Sequence, residues 1–154
     1  MLRWLTSTGG PYDRFHQAVV LQSPQSLDHQ SLESAVDALL DHHDMLRVKL
    51  TISGDVLVLP PAACIAADSI IQTSPGTNLD DAFASIALDP FEGEIFRVIV
   101  LPNSGNAEGR ILLVAHHIAV DAVSWPILTQ DLAEAYRMAA VSYTHLTLPT
   151  NREV

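Results

Sequence analysis

Residues 111–122 read Ile-Leu-Leu-Val-Ala-His-His-Ile-Ala-Val-Asp-Ala, and this stretch decides how the rest of the chain is interpreted. The five apolar residues at its start predict a buried strand, and the helical pattern near Ser124 predicts a helix soon after it. Two adjacent histidines, His116 and His117, therefore fall at a strand-to-helix junction, with Asp121 four residues after the second. Such a junction can hold an imidazole rigidly at the edge of a cavity, as acyl transfer requires of a base.

Strands and helices are mixed along the rest of the chain. Alternating or β-branched apolar residues predict strands at 15–22, 45–52, 56–59, 95–101 and 110–115. Helical spacing predicts helices at 28–41 and 78–87, and a last helix with Ser124 as its N-cap. Residues 1–14 are rich in turn formers, and 62–77 has no clear pattern. The fold class is therefore α/β or α+β.

Composition restricts the function classes. The chain has 154 residues, 48% of them hydrophobic, which suffices for one domain with a core. Its net charge of −10 is spread over the whole length, which argues against a nucleic-acid partner. A single cysteine, Cys64, allows no internal disulfide and indicates a reducing compartment. No membrane span or signal peptide is evident, so we expect a cytoplasmic protein without a membrane partner.

The His-His-x-x-x-Asp pattern admits four interpretations. The first is metal binding, which is disfavoured because too few ligands are available for one ion. Adjacent histidines on a strand point to opposite faces, and no Cys or Glu cluster supplies the remaining ligands of a zinc site. A structural role, with buried histidines that satisfy backbone groups, is common for such pairs. A hydrolase triad needs a nucleophile elbow, and the chain has no Gly-x-Ser-x-Gly. The fourth is a general base for transfer between two bound substrates.

Three co-linear segments resemble one family. Residues 116–121, followed by Ser124-Trp125, resemble the His-His-x-x-x-Asp-Gly signature of condensation-superfamily domains of nonribosomal peptide synthetases. Residues 40–47, Leu-Asp-His-His-Asp-Met-Leu-Arg, resemble the second motif of that family. Residues 88–93, with Phe96-Arg97, resemble the segment that enters the strand before the active-site strand. The resemblance covers about residues 1–140.

This resemblance implies a lobe with a fold like that of chloramphenicol acetyltransferase, a mixed sheet flanked by helices. A complete domain has two such lobes around a cleft, so residues 1–140 would be a truncated N-terminal lobe whose C-terminal lobe is missing. Peptidyl carrier protein domains would be its partners and would deliver substrates on a phosphopantetheine arm. No cofactor or metal would be bound directly. Residues 141–154 resemble translated adapter sequence, and we expect a non-native tail there.

The resemblance also implies residue roles. The second histidine of the motif carries the chemistry, which makes His117 the candidate base for amide-bond formation. His116 would hold the loop through hydrogen bonds. Asp121 would be architectural and would pair with Arg47. We expect Trp125 to pack the last helix.

The sequence departs from the motif at Ala122, where the family has glycine; a positive φ there would make alanine costly. Residues 15–21, residues 123–125 and His42 resemble epimerization-type members more than ordinary condensation members. Two alternatives remain open for the chain. It could be an inactive docking or structural fragment, or half of a stand-alone acyltransferase of the same fold that uses coenzyme A.

Overall fold

The computed structural model describes residues 15–105 and 108–147, without the side chains of residues 142–147. Its strands are β1 (His16–Gln22), β2 (Val48–Leu50), β3 (Val56–Val58), β4 (Ile71–Thr73), β5 (Phe96–Leu101) and β6 (Arg110–His116). Its helices are α1 (His29–His42), α2 (Ala67–Ile70), α3 (Leu79–Ala84) and α4 (Ser124–Thr147). Single 3-10 turns occupy Asp44–Arg47, Pro61–Ala63 and Pro90–Glu92. The predicted entry segment 1–14 lies outside the described residues.

Four strands form the main sheet in the order β1-β6-β5-β4. The pairs β1–β6 and β5–β6 are antiparallel, and β4–β5 is parallel. The predicted class, a mixed sheet flanked by helices, is therefore confirmed. A separate antiparallel hairpin pairs β2 with β3.

The two faces of the main sheet bury different cores, because side chains alternate along each strand. On β6, Ile111, Leu113 and Ala115 face α1 and α4 in what we call the helix-side core. Leu112 and Val114 face the opposite way, toward a smaller outer core that includes Ala82 of α3. Because both faces of β6 are covered, the strand reads as a continuous apolar run, and its end is held rigidly.

The helix predicted at 28–41 is confirmed as α1. Asp28 caps it by accepting a hydrogen bond from the Ser31 backbone N–H at 3.0 Å. Leu32, Val36 and Leu39 are all buried at the helical spacing that predicted them. The side chains of α1 pack against α4, whose Leu128 and Leu132 enter the same core.

The strand predicted at 45–52 is wrong in its first half and at its end. Asp44–Arg47 is a 3-10 turn, only Val48–Leu50 pairs with β3, and Ile52 is 96% exposed in the hairpin turn. The apolar alternation from Leu46 to Leu50 is real, since Leu46, Val48 and Leu50 are buried. The chain nevertheless turns at 44–47, and the Arg47 side chain links this turn to the end of α1, as described below.

The remaining predictions differ mainly in length. Asn78 caps α3 as expected, accepting from the Asp81 N–H at 3.1 Å, but the helix ends at Ala84 rather than Ala87. The uninterpreted segment 62–77 contains most of a 3-10 turn, α2 and β4. The backbone of α4 continues through Thr147, and the non-native origin of residues 141–154 stays a prediction. Among the described helices, none combines the length and apolarity that crossing a membrane requires.

Candidate functional site

The site forms where β6 ends and the chain turns toward α4. The backbone N–H of His116 donates to the Ile95 carbonyl at 2.8 Å, and that of His117 donates to the Phe15 carbonyl at 2.9 Å. The Ala119 N–H then donates back to the His116 carbonyl at 2.9 Å, which closes a tight turn. The turn is therefore tied to strands on both sides before the side chains contribute anything.

His116 is completely buried. It pairs in register with His16 of β1, and the side chains of both lie on the outer-core face, where His16 contacts Phe83. The Nδ1 of His116 accepts a hydrogen bond from the Ile118 N–H at 3.3 Å. This hydrogen bond helps to hold the turn at 116–119. Because His116 is completely buried, its ring has no access to a substrate.

His117 is half-buried, and its ring stacks on Phe15 with centroids 4.9 Å apart and an interplanar angle of 22°. Its Nδ1 lies 3.0 Å from the Val120 carbonyl oxygen. A carbonyl oxygen only accepts, so Nδ1 carries the hydrogen and the neutral ring holds its lone pair on Nε2. A neutral imidazole with its lone pair on Nε2 is the form that can act as a general base through that nitrogen.

Gln17 completes the surroundings of the ring, and it was not among the predicted site residues. Its Nε2 lies 3.4 Å from Nε2 of His117, and its Oε1 accepts from the indole Nε1–H of Trp125 at 3.1 Å. A signal was present in the sequence. Gln17 shares its strand face with Val19 and Leu21, which pack against the helix-side core, so a polar residue in that row needed a partner. Trp125 packs in the core, as expected, and also makes this bond.

The predicted ion pair between Asp121 and Arg47 does not form. Asp121 is exposed, and its Oδ1 accepts from the backbone N–H of Val123 at 3.1 Å and of Ser124 at 3.0 Å. The Ser124 hydroxyl also donates to Oδ1 at 2.9 Å. Asp121, rather than Ser124, is thus the capping side chain of α4. These hydrogen bonds, that of the Ser124 hydroxyl first, hold the pKa of Asp121 below its ordinary value.

Arg47 is buried at the other end of the second motif, where it stabilises the end of α1. Its Nη1 donates to the Leu40 and Asp41 carbonyls at 2.5 and 3.3 Å, which are among the last carbonyls of the helix. Its Nε donates to the Leu59 carbonyl at 2.9 Å, and Nη2 pairs with Asp44 at 2.8 Å. All of these partners are local to residues 40–59, and they engage four of the five guanidinium N–H bonds without Asp121.

Ala122, which stands where the family motif has glycine, needs no unusual backbone. Among the described residues, only glycines have a positive φ, so Ala122 adopts an ordinary negative value. It lies in the turn that leads into α4. The departure from the motif therefore imposes no backbone strain on this turn.

A second group of side chains joins α1 to α4. One potential ligand atom from each of His42, His43 and Asp131 lies within 4.8 Å of the others. Nε2 of His43 lies 2.7 Å from Oδ2 of Asp131, which is an ordinary hydrogen-bond distance. His42 is exposed at the C-terminus of α1, where the helix dipole favours a histidine. We assign this group a structural role.

A family model, related sequences and solved structures all match this chain to the same family. The family model "Condensation domain" matches residues 10–149. FR901469 synthetase of Dothideomycetidae sp. (strain 11243) is 33% identical over 129 residues, which cover 79% of this chain and 1% of that protein. Tyrocidine synthase 2 of Brevibacillus parabrevis is 34% identical over 113 residues, which cover 72% of this chain and 3% of that protein. The chain thus spans only a few per cent of these relatives.

Solved structures show the same fold. The epimerization domain from the third module of tyrocidine synthetase B superposes with a TM-score of 0.70 at 21% identity, covering 98% of this chain and 36% of that chain. The first condensation domain of the calcium-dependent antibiotic synthetase has a TM-score of 0.69 at 19% identity, covering 90% and 36%. Because the family model covers most of its residues, the chain belongs to the condensation-domain family of nonribosomal peptide synthetases.

Proposed function

We propose that this chain is the N-terminal lobe of a condensation-superfamily domain that acts on carrier-protein-bound aminoacyl or peptidyl thioesters, with His117 as its base. The observation that supports this role is the hydrogen bond from Nδ1 of His117 to the Val120 carbonyl at 3.0 Å. It leaves the Nε2 lone pair on the side of the ring that is not committed to the backbone. His116 and Asp121 hold the turn, and Arg47 holds the neighbouring end of α1.

In amide-bond formation, the nitrogen of the acceptor amine attacks the thioester carbonyl carbon. The C–N bond forms, the C–S bond breaks, and the sulfur leaves as a thiolate. Nε2 of His117 takes a proton from the amine nitrogen and returns it to the sulfur, so the imidazole is unchanged after each turnover. A positioned base of this kind contributes about 10²- to 10⁴-fold to the rate.

Epimerization is the second candidate activity, and specific sequence features favour it. These are the Val123-Ser124-Trp125 segment, the Phe-x-Gln start of β1 and His42 in the second motif. In this reaction Nε2 of His117 would take the α-proton of a thioester-bound residue, and a second acid from elsewhere would return a proton to the opposite face. The same unprotonated nitrogen serves both reactions, so the two are separated by assay rather than by this site.

The second lobe and the carrier proteins belong to the proposal. The chain spans 36% of the solved epimerization domain it resembles, and we expect the rest of the cleft to come from a C-terminal lobe. Half a cleft cannot enclose two substrates, so we expect the isolated chain to show no turnover. Substrates would arrive on the phosphopantetheine arms of peptidyl carrier proteins. A docking or structural fragment and a coenzyme A-dependent acyltransferase are the competing functions.

The test uses the complete two-lobed domain that contains this chain. His117→Ala is compared with His29→Ala, which removes an exposed histidine at the start of α1. Dipeptide formation and α-proton exchange are measured on loaded carrier proteins, and acyl transfer is measured from coenzyme A thioesters. We expect His117→Ala to lose the carrier-dependent activity and His29→Ala to keep it. Turnover with coenzyme A thioesters alone, or full activity of His117→Ala, would refute the proposal.

A further inference from the structure

Three side chains from separate elements form a continuous hydrogen-bond chain that ends on the ring of His117. Trp125 of α4 contacts Gln17 of β1 through Nε1 and Oε1 at 3.1 Å. The Nε2 of Gln17 faces Nε2 of His117 at 3.4 Å. His117 in turn contacts the Val120 carbonyl through Nδ1 at 3.0 Å. Gln17 and Trp125 lie 108 positions apart in the chain, so only the folded sheet and helix bring them together.

In each of these three hydrogen bonds, the donor and the acceptor are determined by the groups at the two ends of the series, the Trp125 indole and the Val120 carbonyl. An indole N–H can only donate, so the oxygen of the Gln17 amide must face Trp125. The amide NH₂ then faces His117 and can only donate, so Nε2 of His117 must accept. At the other end a backbone carbonyl can only accept, so Nδ1 of His117 must donate. Both ends therefore demand the same neutral tautomer.

From this agreement we infer that Gln17 is a positioning residue, oriented by Trp125, that holds His117 in the tautomer with its lone pair on Nε2. The inference rests on the proposed function, in which that lone pair is the base. Gln17 does not touch substrate in this account, and it acts through the imidazole. Its amide donates to the lone pair of Nε2 across a long contact of 3.4 Å, and in the proposed reaction a substrate N–H takes the place of that donor.

The location of Gln17 supports a positioning role, because its amide meets the hydrogen-bonding needs of two side chains at once. Gln17 lies opposite Ala115 in the β1–β6 register, on the face of the sheet where Val19 and Leu21 are partly buried against the helix-side core. Trp125 is only 8% exposed, so its indole N–H needs a partner inside the protein. An apolar residue at position 17 would leave that N–H unpaired, and a shorter polar residue would not span both contacts. Glutamine satisfies the indole and the imidazole together.

The decisive variant is Gln17→Glu, because it keeps the shape of the side chain and reverses its polarity toward His117. A carboxylate can accept from Trp125 with one oxygen, but the other oxygen then requires an N–H on Nε2 of His117. The matched control is Gln72→Glu, which adds the same charge at an exposed position of β4. The complete domain is labelled with ¹⁵N-histidine, and the His117→Asn variant identifies the signals of His117 by their loss.

In the parent domain we expect a protonated Nδ1 and an unprotonated Nε2 at neutral pH. Gln17→Glu should protonate Nε2 and lower kcat roughly 10²-fold with little change in KM, because the base is withdrawn without loss of a substrate contact. Gln72→Glu should change neither. In Trp125→Phe, which keeps an aromatic ring in the core, the amide loses its fixed orientation, and we expect a mixture of the two His117 tautomers.

The outcomes separate this inference from the proposed function. An unchanged ¹⁵N pattern of His117 in folded Gln17→Glu overturns the positioning role, whatever the activity. If Gln17→Glu fails to fold, Trp125→Phe decides, and a His117 signal identical to that of the parent overturns the inference. If the tautomer shifts as expected while His117→Ala stays active, the hydrogen-bond chain stands and the proposed function fails.

Discussion

Asp121 and Ser124 hydrogen-bond each other in both directions at the start of α4. The Asp121 carboxylate accepts from the Ser124 backbone N–H and hydroxyl at 3.0 and 2.9 Å, while the Asp121 N–H donates to the Ser124 hydroxyl oxygen at 3.3 Å. This is the geometry of a capping box in which serine takes the position usually held by glutamate or glutamine. The aspartate of the family motif thus defines where the helix that carries Trp125 begins.

Asp121 gives an acid-dependent contribution to stability. Its pKa is held below the ordinary value, mainly by the Ser124 hydroxyl, so the folded protein binds this proton less readily than the unfolded chain. The stabilisation is present above the ordinary value of 3.8 and is lost as pH falls through the folded-state pKa. In Asp121→Asn, the melting temperature of the complete domain should depend less on pH below about pH 4. An unaltered acid dependence would contradict the capping role.

Arg47 should be a stability determinant rather than a partner of Asp121. Arg47→Ala leaves three backbone carbonyls without their buried donor, and we expect a loss of about 3 kcal/mol or more. Arg47→Lys should recover only part, because an ammonium cannot reproduce the spread of the guanidinium. Asp44→Asn serves as the control, since its exposed ion pair contributes about 0–1 kcal/mol. Denaturant unfolding of the three variants checks the order, and a strong coupling of Arg47 to Asp121 in a double-mutant cycle would contradict it.

Ala122→Gly restores the residue of the family motif and should nevertheless not improve the protein. The backbone at Ala122 already has a negative φ, so glycine relieves no strain and increases the entropy of the unfolded chain. We expect a loss of about 0.4–1 kcal/mol in unfolding free energy and no gain in turnover. A rise in both melting temperature and activity would show instead that this turn needs glycine.

Cys64 should react slowly with alkylating reagents. Partial burial raises the pKa of its thiol above the ordinary value of 9.0, and this outweighs the opposing influence of Arg47. Its Sγ also donates to the Pro61 carbonyl at 3.1 Å. Mass spectrometry of the peptide that contains Cys64, after timed alkylation from pH 7 to pH 10, should place the midpoint above 9.0. A midpoint below that value would contradict this environment.

The parts of the fold that follow from local pattern were predictable. Arg110–His116 and Phe96–Leu101 read as apolar runs because both of their faces are covered, and α1 shows its buried stripe at helical spacing. The turn at Asp44–Arg47 was not predictable in this way, because the same apolar alternation continues through it. In the structure the Arg47 guanidinium donates to the Leu40 and Asp41 carbonyls at the end of α1. The positions of those carbonyls depend on the folded helix, so the apolar pattern alone does not reveal the turn.

In the candidate site, too, local features were predictable from the sequence and contacts between remote residues were not. The motif alone marked His117 as the candidate base, because the Val120 carbonyl that orients its ring lies only three residues away in sequence. The Arg47–Asp121 pair, which the resemblance implied, is replaced by local partners that each residue finds within its own segment. Gln17 was missed because its partner Trp125 is remote in sequence and meets it only across the sheet and α4. A polar residue in the core-facing row of β1 was the sequence signal for it.

Nε2 of His117 is the proposed base, and the single-turnover rate of His117→Asn in the complete domain tests this role. An asparagine amide can donate to the Val120 carbonyl in place of Nδ1, so the turn keeps its bond while the base nitrogen is removed. We expect a folded variant whose melting temperature falls only by the loss of the Phe15 stacking contact, and a rate on loaded carriers that falls about 10²- to 10⁴-fold. A parent-like rate in the folded variant would show that the imidazole is not the base.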